Sequence, residues 1–287
     1  MRLLPGLLVL LLPAAACAQT AGEKAATLKY IQSLRDPATG AYKVTPDGKP
    51  SLRACNGAVR AIKYLGSELP QPEKVARFVL SCYDPKTGGF AEPGGRPDVA
   101  TTAIGVMAAV ELGIPKEKYR KAMEYLKEHA KSFEEVRIAA AAVEAWGVKD
   151  CPFDLAPWVK AADEVINRKA TNPRDQGSAV ALRLRLGRSL TESQKAETML
   201  LLGLGQDDDG GWKKPGEKGS DLETTYRVMR AIHLMREKPK DVAGLRKFLQ
   251  SCRHSDGGFG VRPDEPSSMS GVYYFAIISK WLDELEK

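Results

Sequence analysis

The sequence predicts an all-α protein: about six helical hairpins closed into a single (α/α)6 toroid. One unit recurs along the chain, and the two helices inside each unit differ consistently in polarity. The recurrence is plainest at 247–281, KFLQSCRHSDGGFGVRPDEPSSMSGVYYFAIISKW, and at 77–113, RFVLSCYDPKTGGFAEPGGRPDVATTAIGVMAAVELG. Phe78 and Phe248, Cys82 and Cys252, and both Gly-Gly-Phe turns share one register. Looser copies occupy 199–235 and 30–66. Self-similarity at about 35–50 residues marks a stacked or circular repeat.

Helical periodicity and breaker residues place the helices at about 23–34, 52–66, 72–83, 98–113, 116–130 and 133–147. The second half continues at about 155–168, 175–187, 191–204, 221–236, 240–252 and 268–285. Gly and Pro mark the junctions, at Gly66 to Pro70, Gly113 to Pro115, Gly147 to Pro152 and Gly187. The first helix of each pair has a charged face, as in EKYRKAMEYLKEHA. The second carries small and apolar residues, as in VATTAIGVMAAVELG, VRIAAAAVEAWGV and SSMSGVYYFAIISKW. A helix apolar all round must be surrounded, whereas a half-charged one faces water. Surrounded helices alternating with outer ones close as a toroid. An open solenoid would need polar caps, and the last helix here is among the most apolar. Ala139 to Ala142, Gly105 and Ala108 are therefore expected buried, and Lys118, Lys121 and Lys127 exposed.

Residues 1–18 read as a signal peptide: one Arg, an apolar run through Leu12 too short to span a membrane, and a signal-peptidase site at Ala16-Cys17-Ala18. Ala14-Ala15-Ala16-Cys17 also resembles a lipobox, which would anchor the chain through a lipid on Cys17. The expectation is a secreted or periplasmic toroid domain over 22–287, with no membrane span. Beyond Cys17 the cysteines are Cys55, Cys82, Cys151 and Cys252, without CxxC spacing; core packing is expected for Cys82 and Cys252. The formal net charge of +7 is spread over helix faces interleaved with Glu. No basic stripe alternates with aromatics, so nucleic acid is excluded as a partner. A positive balance does favour an anionic ligand in a cavity.

In such a barrel the inner helices run parallel, and polar residues at their N-termini converge on one mouth. Those residues are Arg53, Cys55 and Asn56; Asp98, Thr101 and Thr102; Glu134, Glu135 and Arg137; Asp175 and Gln176; Asp221, Glu223 and Thr224; Ser268 and Ser270. Asp98 and Ser268 read as N-caps, worth about 1 kcal/mol each. Glu223, inside a first turn, serves either the helix dipole or the cavity. Tyr273, Tyr274 and Trp281 read as lining or core. A ligand's polar end is expected near Lys218, Asp221, Glu223 and Arg53. Its apolar part is expected along Tyr226 and Tyr273, because an inner wall of this composition offers little to hydrogen-bond.

SCRHSDGGFGVRP, SCYDPKTGGFAEPGG and GQDDDGGW, with Gln206, Gly210 and Trp212 in the Gln-x-x-x-Gly-x-Trp pattern, resemble the repeats of protein prenyltransferase β-subunits and squalene–hopene-type cyclases. The wording is most similar to type II geranylgeranyltransferase β-subunits, over essentially the whole mature chain. The resemblance implies an isoprenoid or other hydrophobic ligand, a protein partner and, for the transferases, a zinc ion. Two of the family's three zinc ligands do not carry over. Asp221 stands at the Asp position, Glu223 at the Cys position, and Gly271 or Ser270 at the His position; the expectation is no metal. Soft donors suit a zinc-held thiolate, and none is present. Lys218 matches a diphosphate-binding Lys and Gln176-Gly177 a His-Gly pair, while Pro215 replaces an Arg and Lys213 and Lys214 lie nearby. In the cyclases an Asp-x-Asp-Asp-Thr acid protonates an alkene; Asp221-Leu222-Glu223-Thr224-Thr225 puts Glu223 there as a general acid. Three readings follow: a prenyltransferase-like protein with Asp221 and Glu223 as catalytic and Arg53, Gln176, Lys218, Tyr226 and Tyr273 as binding residues; a non-catalytic exported binding module for peptide, lipid or glycan; and a cyclase-like protein.

Overall fold

The computed structural model describes residues 19–168 and 172–287. The expected leader and Cys17 lie outside them. Among the described residues no helix is long and apolar enough to cross a membrane. They form twelve α-helices and no strand. The outer set is α1 (Ala21–Ser33), α3 (Pro72–Ser81), α5 (Lys121–His129), α7 (Ala156–Asn167), α9 (Glu192–Leu204) and α11 (Val242–Ser251). The inner set is α2 (Leu52–Tyr64), α4 (Val99–Glu111), α6 (Phe133–Trp146), α8 (Pro173–Arg185), α10 (Leu222–Met235) and α12 (Met269–Glu286). Each inner helix packs on the next, and α12 packs back on α2, so the ring closes as the polarity pattern predicts.

Small side chains let the inner helices approach. Ala139 to Ala142, Gly105 and Ala108 are buried, while Lys118, Lys121 and Lys127 are exposed. The Phe90 ring fills the notch above Gly105, where any Cβ would strike it. One expected helix is divided. Lys116–Lys118 form a 3-10 turn, and Tyr119 takes φ −140. That places its ring edge-on to Phe90 and Trp146 in the core, and α5 begins only after it.

The repeated turns fasten inner to outer layer by one device. Tyr42, Phe90, Trp212 and Phe259 hold equivalent places and are wholly buried. The backbone N–H groups of the first three reach into the next inner helix: Tyr42 N to Cys55 Sγ at 3.3 Å, Phe90 N to Thr102 Oγ1 at 3.0 Å, Trp212 N to Thr225 Oγ1 at 3.1 Å. Cys55 and Thr102, expected at the mouth, thus serve the turns, as does Thr225. Burial pushes the Cys55 thiol up to about 12, as befits a packing residue. Cys82 and Cys252 are likewise buried and unpaired. Each inner helix has a side-chain N-cap: Ser51, Asp98, Ser132, Asn172, Asp221 and Ser268.

Candidate ligand cavity

The inner helices enclose a cavity of about 150 Å³ that starts at their N-terminal mouth. Its lining is chemically mixed. Ile104, Met107, Ile138, Ala141 and Met269 supply its apolar part. The same space is lined by Arg60, Arg137, Arg185 and Arg227 with Tyr226 and Tyr273, and Arg60 Nη1 lies 3.6 Å from Met107 Sδ. The sequence-based expectation of a wall with little to hydrogen-bond is therefore corrected. The arginine backbones belong to different inner helices, but their guanidinium heads line one space.

These charges are held by partners on neighbouring helices. Arg227 bonds Glu223 at 2.8 Å and both oxygens of Glu134 at 3.0 Å. Glu134 also pairs with Arg137 at 3.0 Å. Deeper down, Glu144 bonds Arg230 and faces Arg185 Nε at 3.2 Å. Among the described residues Arg60 has no carboxylate partner; it bonds Tyr64 Oη at 3.1 Å and lies 5.9 Å from the Tyr273 ring centre. Trp281 closes the floor, stacked on Tyr226 and His233, with Arg230 over its face. Burial alone would raise the Tyr226 phenol, yet Arg185, Arg230 and Arg60 outweigh it and lower the hydroxyl to about 7. Tyr273 moves the other way, well above its ordinary value, because burial dominates there.

The predicted site residues divide between this cavity and other places. Arg53, Glu223, Tyr226 and Tyr273 line it. Asp221 is fully buried as the N-cap of α10, one oxygen accepting from Thr224 N and the other from Thr224 Oγ1, both at 2.8 Å. Gln176 faces outward, donating to Thr198 on α9 at 3.2 Å. Lys218 is exposed in the loop before α10 and is not part of the lining. Lys214 reaches inward instead, 3.3 Å from Glu223. Burial would raise the Glu223 carboxyl, but Arg227 and Lys214 hold it below its ordinary value. An ionised, ion-paired Glu223 does not suit the general-acid role. Gly271, at the expected His position, has no room for a side chain, since a Cβ would collide with the Phe259 carbonyl.

Sequence reading missed Arg60, Arg185 and Arg230 because isolated arginines resemble surface charges. A signal was present. Glu223, Arg227 and Arg230 on α10, Arg53 and Arg60 on α2, and Arg137 and Glu144 on α6 repeat at spacings of three, four or seven. On helices otherwise apolar, such a stripe must face one shared interior space.

A closed ring of inner helices around a mouth-open cavity defines an α/α toroid. The chain belongs to the prenyltransferase alpha-alpha toroid domain family, whose pattern matches residues 6–128 and again 121–282. No curated protein matches it by sequence. Among solved structures it is similar to Candida albicans protein geranylgeranyltransferase-I complexed with GGPP, at TM-score 0.62 and 14% identity over 79% of this chain and 82% of that one. A protein from Actinoplanes gives TM-score 0.61 and 13% identity over 93% and 99%. The type II terpene cyclase MstE from Scytonema gives TM-score 0.60 and 11% identity over 92% and 97%. At these identities the likeness is one of fold.

Proposed function

We propose that the barrel binds a short-chain isoprenoid diphosphate, or an amphiphilic anion of that form, without zinc and outside the cytosol. The single observation behind this reading is the amphipathic lining of the cavity, which combines four arginine heads and tyrosines with aliphatic side chains. The diphosphate is held by Arg137, Arg185 and Arg60, and charge-assisted bonds to guanidinium favour such a head. The tail lies on Ile104, Met107, Ile138 and Met269. Sites for drug-sized ligands run to roughly 300–1,000 Å³. A space of about 150 Å³ suits a ten-carbon tail better than a twenty-carbon one.

Transfer of the prenyl group to a zinc-held thiol is not part of this reading. Both oxygens of Asp221 are engaged by Thr224, Glu223 is held by Arg227 and Lys214, and Gly271 offers no donor. The export half rests on the leader-like sequence over 1–18.

Calorimetric titration tests the proposal. Geranyl diphosphate should bind about a hundredfold more tightly than geraniol, as two or three charge-assisted bonds would give. Geranylgeranyl diphosphate should bind more weakly than geranyl diphosphate, and Lys218→Ala should change neither. Equal affinity for diphosphate and alcohol would refute the anionic half, and preference for the longer chain would refute the size assignment.

A further inference from the structure

The inner ring of the cavity carries more positive charge than its carboxylates offset. Arg60, Arg137, Arg185, Arg227 and Arg230 face only Glu134, Glu144 and Glu223. Two of those carboxylates, Glu134 and Glu223, stand at the mouth with Arg227. Of the deep guanidiniums, Arg185 and Arg230 share Glu144, and Arg60 pairs with no carboxylate among the described residues. The other group of fitting chemistry among them is the Tyr226 hydroxyl, which accepts from Arg185 Nη2 at 3.4 Å. Beside it, Ser178 Oγ and Arg230 Nε are buried and without a hydrogen-bond partner, and both border the small recess between α6, α8 and α10. Ser178 is only 2% exposed, and the recess beside it, about 10 Å³, has room for one bridging water.

Every element around Tyr226 contributes to its field. From α2 come Arg60 and Tyr64; α4 offers only Ile104 and Met107. From α6 come Arg137 and Glu144, and from α8 Arg185. Its own helix adds Glu223, Arg227 and Arg230, and α12 adds Tyr273 and Tyr274 with the Trp281 ring. The cations nearest the hydroxyl are thus three, and the nearest fixed anion serves two of them already.

We propose that this inner ring is an anion-exchange site: Tyr226, as a phenolate, is the resident counter-ion of Arg60, Arg185 and Arg230, and a phosphate-class dianion that enters takes over that task while Tyr226 regains a proton from solvent. The proposal builds on the anionic reading of the cavity but does not need the prenyl tail. Only a proton moves, from water or buffer to Tyr226 Oη. The incoming charge makes a neighbouring phenolate unfavourable, so binding and protonation are linked. Below about pH 7 the hydroxyl already holds its proton, and affinity is flat. As pH rises above that value each binding event must take up a proton, and affinity falls by up to about tenfold per pH unit.

Sulfate is the first probe, since it stays a dianion throughout this range, and inorganic diphosphate is the second. In the free protein the tyrosinate absorbance at about pH 8.5 should report one ionised tyrosine, lost in Tyr226→Phe. Saturating sulfate should abolish that signal in the wild type, and sulfate affinity should fall with rising pH in the wild type but not in Tyr226→Phe. Tyr273→Phe keeps the Tyr226 hydroxyl but removes a hydrogen bond that helps lower it, so the sulfate-sensitive signal should move to higher pH without being lost, which guards against a folding defect in the first variant. Sulfate binding with the tyrosinate signal intact, or no anion binding at all, would overturn the proposal. Geranyl diphosphate binding with no loss of tyrosinate would sink this exchange and leave the ligand reading standing. Discharge by sulfate with no affinity for geranyl diphosphate would do the reverse.

Discussion

Trp212→Ala should destabilise the protein by about 3–5 kcal/mol, the range for emptying a buried aromatic site. Trp212 is fully buried where the third Gly-Gly turn meets the inner layer. Its indole Nε1 donates to the Leu202 carbonyl at 2.9 Å, so truncation also leaves the end of α9 without that donor. Its backbone carries the turn itself, accepting from Asp221 N at 3.1 Å just before α10. Loss of the ring therefore loosens α9, the loop and the entry into α10 together. Leu204→Ala, at a side chain 74% exposed, should change stability by less than about 0.5 kcal/mol. Denaturant unfolding of both variants checks the contrast. Equal, small effects would mean that the turn aromatics do not hold the two layers together.

Glu144→Leu should cost about 2–4 kcal/mol. It removes the one carboxylate that serves both Arg185 and Arg230, whose side chains are 5% and 12% exposed. Severing a buried pair leaves an uncompensated charge, commonly about 3–5 kcal/mol. The lower range applies because Glu144 itself is 31% exposed to the bore, where water screens it. Replacing all three residues by leucine should recover much of the loss, since a buried ion cluster often exchanges for apolar packing at little net cost. Thermal unfolding of the single and triple variants distinguishes this from simple cavity creation, which would grow worse with each added substitution.

The fold was legible because its information is periodic. Every repeat writes the same turn, and the polarity contrast between EKYRKAMEYLKEHA and VATTAIGVMAAVELG decides which helix is surrounded. The interior was read less well. Gln176 was placed at the mouth by analogy with a His-Gly pair, yet it lies two residues before Ser178, about 200° around α8, and so faces α9. Asp221 was legible as polar at a helix start, but only the bonds to Thr224 separate a cap from a ligand. Lys218 and Lys214 differ by four positions in one loop, and loop geometry alone decides that Lys214 turns inward. The arginine lining required knowing that charged residues on different helices share one space.

Electron density for the protein crystallised with geranyl diphosphate tests the central claim most directly. The account predicts the two phosphates within hydrogen-bonding distance of Arg137, Arg185 and Arg60, and the tail along Ile104, Met107 and Met269. A diphosphate resting at the outer rim beside Lys218, or a tail threaded among the arginines with its head in solvent, would contradict it.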